Sequence, residues 1–330
     1  MKEDKKHDVL NIKSLKHLAL QLHVAEKDIV NVVDAIGDHF RCEPKEIKKN
    51  DGTIKVRNIY HPSPKLKTVL KAIDVHLLRK IELPQEIHGG RKSHSNITNA
   101  REHVGKKYVS NFDIKNFFPT ISHEKVYRLF ISLECSPDVA RLLARLCTAD
   151  NHVPQGYNTS PRIANLVAIP VVKRVSGLGI KQGLKVTTFV DDITLSSNKD
   201  TAPYEKTIRK IVSECGFDIK KEKTNHSSVR KQHIVTGVVV NQKTNISKQA
   251  YKELRFHLNF CRKYGPSQLL TRGISDSKGE RIIDKDKLKK HLFGKISYLK
   301  SINPEHWETL LTMFKGINWQ DNAVSFYEVM

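Results

Sequence analysis

Three carboxylates stand where a charge is costly unless it has a task. Asp113 ends the run Tyr108-Val109-Ser110-Asn111-Phe112-Asp113, and Asp191-Asp192 separates Val186–Val190 from Ile193–Leu195. Each acid ends or tips an apolar strand, where burying an unpaired charge is expensive. Neighbouring side chains on a regular strand point to opposite faces, so adjacent acids share one site only in a tight turn. A hairpin with the doublet at its tip, brought beside Asp113 from 78 residues earlier, would make such a cluster. Its natural use is to bind two Mg²⁺ ions through a few carboxylates, with water and substrate phosphates completing the shells. One ion would lower the pKa of an attacking hydroxyl and the other would stabilise leaving pyrophosphate oxygens. A lone Asp-Asp doublet is more commonly a solvated turn. The flanking Val186-Thr187-Thr188-Phe189-Val190 and Ile193-Thr194-Leu195 runs, together with Asp113, set this one apart.

The elements that must position these acids can be read on either side of them. Ser14 can cap a helix carrying Leu15, Leu18, Ala19 and Leu22, and a second helical pattern follows through Ile29, Val32, Val33 and Ile36. No base-reading set stands out there, so the pair reads as a small packing or RNA-contacting subdomain. Residues 40–60 read as a β-hairpin turning at Asn50-Asp51-Gly52, ended by Pro62 and Pro64. Leu66, Val69, Leu70, Ile73 and Leu77 mark another helix. A helix is expected over 201–215, a strand from His233 to Asn241, and helices from His291 to Ser301 and Pro304 to Phe314. Thr271 to Lys290 reads as an irregular basic loop. Strands interleaved with helices around an antiparallel hairpin give an α+β fold with a palm-like sheet.

The charge names a class of partner. Among 330 residues, 57 Lys plus Arg against 35 Asp plus Glu leave a net +22, with 38% hydrophobic residues. That composition is that of a folded chain, and the surplus favours a polyanion, most commonly nucleic acid. Residues 229–330 hold 18 Lys plus Arg and 9 Asp plus Glu. Positive charge spread over folded segments suits a groove that follows a phosphate backbone. Five Cys without a CxxC pair argue against a disulfide framework or zinc ribbon and fit a reducing cytoplasm. No run approaches eighteen apolar residues and the start lacks the apolar core of a secretory signal, so neither membrane insertion nor export is expected.

In order along the chain, the motifs resemble those of reverse transcriptases, and within them the bacterial retron class. Arg57-Asn58-Ile59-Tyr60-His61-Pro62 with Leu66-Lys67 is similar to the fingers motif. Asp113-Ile114 with Phe117-Phe118-Pro119 is similar to the first catalytic motif. Pro154-Gln155-Gly156, Thr159-Ser160-Pro161 and Ala164-Asn165-Leu166 resemble the nucleotide-pocket motif. Phe189-Val190-Asp191-Asp192 stands where the family has its metal-binding hairpin, and Gly216-Phe217 with Lys223-Thr224 fits the next motif. Asn99-Ala100-Arg101-Glu102-His103 and Val235-Thr236-Gly237 match the Asn-Ala-x-x-His and Val-Thr-Gly elements of retron enzymes. Two positions depart from the pattern. Phe189-Val190 replaces the usual Tyr-Ala, and Lys220 stands where an Asn is usual, three places before Lys223.

The resemblance implies a right-hand polymerase fold. Residues 1–39 would form a helical N-terminal subdomain, 40–228 the fingers and palm, and 229–330 a mainly helical thumb for template–primer and structured RNA. It implies that Asp113, Asp191 and Asp192, with the Ile114 carbonyl, hold two Mg²⁺ ions, Mn²⁺ being a possible substitute. Lys55, Arg57, Phe118, Gln155, Gly156 and Lys223 would contact the dNTP. Phe118 would act as a steric gate against the 2′-hydroxyl, and Lys223 as proton donor or counter-charge to pyrophosphate. Asn99, His103, Val235, Thr236 and Gly237 would serve RNA binding, His103 by contact or by support of the site.

The expected reaction is RNA-directed DNA synthesis on a cognate structured noncoding RNA. The RNA would serve as template and primer and yield branched RNA–DNA, in the cytoplasm, as part of anti-phage defence with an effector protein encoded nearby. Two alternatives are a non-retron defence polymerase working without template or with protein priming, and a catalytically idle RNA-binding scaffold.

Overall fold

A computed structural model describes residues 9–48, 53–276 and 279–320. Helix α1 (Leu15–Leu22) opens at Ser14, whose hydroxyl accepts the His17 N–H, and stops at His23 in the left-handed conformation. With α2 (Glu26–Asp34) it buries Leu18, Leu22, Ile29 and Val32 in the main core, so this pair packs as part of the larger body. Strands β1 (Phe40–Lys48) and β2 (Ile54–Pro62) form an antiparallel ribbon running in register from Phe40 opposite Pro62 to Lys48 opposite Ile54. Its turn at Asn50-Asp51-Gly52 falls outside the described residues. Helix α3 (Pro64–His76) starts under a Ser63 cap with proline in its first turn.

After α4 (Asn96–Arg101) comes β3 (Tyr108–Asp113), one of two inner strands of the sheet, then α5 (Phe117–Thr120), α6 (His123–Ser132), α7 (Pro137–Cys147) and α8 (Ser160–Gln182). Strands β4 (Lys185–Phe189) and β5 (Asp192–Ser197), α9 (Glu205–Glu214) and β6 (Asn225–Ser227) complete this body. The sheet order is β4-β5-β3-β6, antiparallel throughout. Phe112, Ile193, Leu195 and Val186 share a core with helices α6 to α9. By alternation, Asp113, Asp192, Thr194, Ser196 and Thr187 fall on the other face. Helix α8 is long and apolar enough to cross a membrane by length and composition, which the absence of an eighteen-residue apolar run did not suggest. Here it packs as a core helix, burying Ile163, Leu166, Val171, Val172 and Val175.

Between His233 and Asn241 the expected single strand is instead a tiny hairpin of β7 (Ile234–Val235) and β8 (Val238–Val239). The chain reverses at Thr236 and Gly237, both at positive φ, which a continuous strand cannot accommodate. Four helices follow: α10 (Lys248–Tyr264), α11 (Pro266–Arg272), α12 (Lys285–Ile302) and α13 (Pro304–Lys315). The basic loop expected over 271–290 is therefore shorter. Helix α11 runs to Arg272, and Asp284 caps α12 by accepting the Lys287 N–H. Leu254, Leu258, Leu288, Leu292, Ile296 and Leu310 form a separate core here. A small third core, Ile97, Ala100, Val109, Val235, Val238, Val240 and Ile302, joins the two bodies.

Candidate active site

The catalytic-type hairpin turns within two residues. Phe189 pairs with Asp192, leaving Val190 and Asp191 as the turn. Val190 has φ +58° and Asp191 is not in that region. A tight hairpin with positive φ only at its first turn position favours glycine there, and a β-branched residue is under strain. Neighbours fix the turn. The Ile114 N–H donates to the Asp191 carbonyl at 2.8 Å. Residues 86–88 run parallel to the outer edge of β4: the Thr188 N–H donates to Glu86 O at 2.8 Å and the His88 N–H to Thr188 O at 2.9 Å. This seats Gly89 against Val190 so closely that an added Cβ would lie 2.5 Å from the Val190 nitrogen. Buried Asn165 on α8 locks the arrangement by donating to the Gly89 carbonyl at 2.7 Å.

Asp113 and Asp192 are direct cross-strand partners. Burial, then the charges of Asp191 and Asp113, push the Asp192 carboxyl up to about 7. Burial also raises Asp191, with Asp113 adding to it. Asp113 behaves differently. Burial alone would raise it, but hydrogen bonds from Lys220 and Lys223 hold it below the usual carboxylate value. Lys223 Nζ lies 2.8 Å from Asp113 Oδ2, and Lys220 binds the other oxygen. The backbone explains Lys220: the Lys115 N–H donates to Asp218 O and the Lys220 N–H to Asp113 O, so residues 218–220 run beside the end of β3. Sequence reasoning noted Lys220 as a departure and assigned it no consequence; its place three residues before Lys223 was the available signal.

Among the described residues no three His, Cys, Asp or Glu side chains already form a set able to hold an ion. The donor chemistry nonetheless suits Mg²⁺. Three carboxylates cluster with two of them raised by burial and then by the charge of neighbouring carboxylates, and Mg²⁺ takes many of its ligands from water and phosphate. Lys220 and Lys223 occupy both oxygens of Asp113.

The ribbon and the nucleotide-pocket loop are joined to this cluster. Lys55 on β2 is lowered by burial and by the fields of Arg57, Lys220 and Lys223, with Asp113 opposing, so it lies within the electrostatic reach of Asp113 and its two lysines. Arg57 is exposed. The Tyr60 N–H donates to Gln155 O at 2.7 Å, and the Tyr60 hydroxyl to Asp150 at 2.7 Å. Gly156, at φ +126°, has no room for a Cβ because the Tyr60 carbonyl occupies that space. Its smallness thus serves contact with β2. Tyr60, Gly89 and Asn165 as supports went unrecognised, and the Gly89-Gly90 pair was the signal for one of them. Phe118 is half-buried with its ring 5.7 Å from that of Phe117.

The five residues expected to serve RNA binding lie together, but not as a surface. Asn99, His103 and Val235 are fully buried, Thr236 is half-buried and Gly237 exposed. The i, i+4 spacing of Asn99 and His103 would put them on one face of a continuous helix. The helix ends at Arg101, and His103 instead bonds Thr187 and Ser196, each at 2.7 Å. Direct RNA contact by the three buried side chains has no exposed surface to work through, and what remains for His103 is support of the site.

Residues 47–256 match the family described as "Reverse transcriptase (RNA-dependent DNA polymerase)". The Retron Ec86 reverse transcriptase of Escherichia coli is 33% identical over 229 residues, covering 68% of this chain and 72% of that protein. The Retron Se72 reverse transcriptase of Salmonella heidelberg is 31% identical over 275 residues, covering 80% and 72% respectively. The Retron Ec73 reverse transcriptase of Escherichia coli is 28% identical over 299 residues, covering 83% and 87%. With the acids, the hairpin and the pocket loop placed as described, the chain belongs to the reverse transcriptases of the retron type, RNA-directed DNA polymerases with a right-hand fold.

Proposed function

We propose that this enzyme copies part of a cognate structured noncoding RNA into single-stranded DNA. The RNA serves as template and primer, and the product is branched RNA–DNA of the msDNA kind. The observation that carries the chemistry is the register of Asp113 opposite Asp192, with Asp191 in the turn between. Asp113, Asp191, Asp192 and the Ile114 carbonyl hold the divalent ions, Mg²⁺ or in substitution Mn²⁺. When bound, these ions supply an activated hydroxyl nucleophile and charge relief at the leaving pyrophosphate.

The chain's own residues do the rest. Lys55 and Arg57 neutralise the triphosphate, Arg57 through its two-pronged guanidinium. Gln155 and Gly156 border the nucleotide and Phe118 excludes the 2′-hydroxyl. Lys223 protonates or balances the pyrophosphate, and Lys220 keeps Asp113 ionised until metal arrives. Of the five residues expected to serve RNA, exposed Gly237 lies nearest to bound RNA, and Lys287, Lys289, Lys290, Lys295 and Lys300 grip the duplex. The setting is the cytoplasm, away from any membrane, in an anti-phage system with an effector protein encoded nearby; the retron relatives support this reading by family alone.

The test is direct. Purified protein, the structured RNA transcribed from DNA flanking its gene, dNTPs and Mg²⁺ should yield DNA joined to RNA through a 2′-hydroxyl. The Asp191→Ala/Asp192→Ala variant should yield none, and continued synthesis by it would overturn the metal assignment.

A further inference from the structure

Residues 95–105 touch the catalytic hairpin and the thumb at once. On the hairpin side, His103 spans the two strands that carry the turn. One ring nitrogen lies 2.7 Å from Thr187 Oγ1 on β4 and the other 2.7 Å from Ser196 Oγ on β5. Burial, reinforced by Lys185, pushes the imidazole down to about 3, so it is neutral, one nitrogen donating and one accepting. Glu102 pairs with Lys185 at the start of β4. Thr187 and Ser196 share the face of Asp192, and Ser196 lies about 13 Å along β5 from it at the usual strand rise.

On the thumb side, Thr236 sits at φ +46°, an unfavourable conformation for a β-branched residue, held by Asn96. The Asn96 amide donates to Thr236 O at 3.1 Å, and the Thr236 hydroxyl donates to Asn96 O at 2.9 Å. Asn96 also meets the Tyr298 hydroxyl, and Arg101 donates to Ser301 O at 2.6 Å, both on α12. The apolar filling between them is shared: Ile97 and Ala100 from α4 pack with Val235, Val238 and Ile302.

We propose that residues 95–105 are a strut linking the seating of the thumb to the alignment of the catalytic hairpin, with His103 as a positioning residue for Asp191 and Asp192 and Thr236 as the thumb-side latch. This rests on the polymerase reading of those aspartates. A contiguous set of hydrogen bonds and packed side chains is what such coupling requires, and energetic coupling is what must be measured. A thumb closed on nucleic acid would then stiffen the strands under the acids, and an unlatched one would leave them looser.

Thr236→Val keeps the shape and removes the hydroxyl; His103→Leu removes both ring bonds, and His103→Gln keeps one of them. Amide hydrogen exchange is followed on each full chain, and steady-state synthesis on a primed RNA template with dNTPs and Mg²⁺. Thr236→Val should speed exchange across residues 185–197, which it does not touch, and lower kcat about tenfold with dNTP KM and template affinity within about twofold. His103→Leu should do the same more strongly and His103→Gln less. If His103→Leu does not fold, the other two variants decide. Weaker template binding with unchanged kcat and exchange would make these residues direct RNA contacts and overturn the strut, as would unchanged behaviour throughout. Absence of DNA synthesis by the unmodified protein would remove the polymerase reading, while the exchange comparison would still decide whether thumb and hairpin are coupled.

Discussion

Gly89 and Val190 meet backbone to backbone: a Cβ on Gly89 would lie 2.5 Å from the Val190 nitrogen and 2.8 Å from its Cγ2. The contact holds a strained turn, since Val190 stands at φ +58° with no glycine to relieve it. Gly89→Ala should cost about 1–3 kcal/mol of stability through overpacking. It should lower kcat more than it raises dNTP KM, because what moves is the pair of acids. Val190→Ala removes the clash with Cγ2 but not that with the nitrogen. Added to Gly89→Ala, it should therefore restore only part of the loss. A double-mutant cycle on melting temperature and kcat measures this, and strict additivity would exclude the contact as the cause.

Lys220 and Lys223 share the carboxylate of Asp113, and Lys220 is the more enclosed, its side chain 14% exposed against 51% for Lys223. The Asp113 pKa is depressed, so the ion pairs contribute stability above the ordinary carboxylate value of 3.8, and that contribution is lost as pH falls through the lower folded value. Without divalent ions at neutral pH, Lys220→Ala should destabilise the protein by about 1–3 kcal/mol, Lys223 retaining part of the pairing. With Mg²⁺ the order reverses. The variant should reach half its metal-induced rise in melting temperature at a lower Mg²⁺ concentration, because one competing ammonium is gone. An unchanged or higher midpoint would show that Lys220 does not compete with metal.

These two sites mark where sequence reading succeeds and where it stops. Asp113 and Asp191-Asp192 were legible because an acid at the end of an apolar strand is chemically conspicuous, and strand alternation makes a shared site demand a turn. Helix α1 was legible from apolar spacing behind the cap Ser14, and α3 from apolar spacing alone. Lys220 was not, since its partner is brought by a backbone pairing between residues 113–115 and 218–220 that no local pattern announces. For His103 the sequence leaves contact and support both open, because i, i+4 spacing says where a side chain points only within a helix, and this one ends at Arg101. Helix α11, seven residues between Gly265 and Gly273, is too short for periodicity to reveal.

The raised Asp192 carboxyl makes the site a cost to the metal-free fold. Its folded pKa of about 7 exceeds the ordinary 3.8, so the folded state resists ionising it. The penalty grows as pH rises from about 4 to about 7 and is complete above that. Asp192→Asn keeps the shape and abolishes the penalty. Without divalent ions at pH 8, the variant should be more stable by about 1–2 kcal/mol, a rise of about 1–3 °C in melting temperature. The difference should shrink towards zero near pH 4. Mg²⁺ should raise the melting temperature of the unmodified protein well above its effect on the variant. Equal melting profiles over this pH range would contradict the crowding of the three acids.

Phe118 stands on a fixed backing. Its ring meets that of Phe117, which is buried and in turn packs at 5.6 Å against Phe217 in the main core. A half-buried ring so supported, at the start of α5 and five residues after Asp113, would yield little to a 2′-hydroxyl if it faces the sugar as proposed. Shape exclusion of this kind discriminates through a clash built against the wrong substrate, which truncation removes. Phe118→Ala should leave dNTP incorporation largely intact and reduce the preference for dNTP over rNTP in kcat/KM by about 10- to 100-fold. Phe118→Tyr, which keeps the ring, should preserve the preference. Single-nucleotide incorporation on a primed RNA template measures both ratios. If alanine leaves the preference unchanged, sugar selection rests on another group lining the pocket.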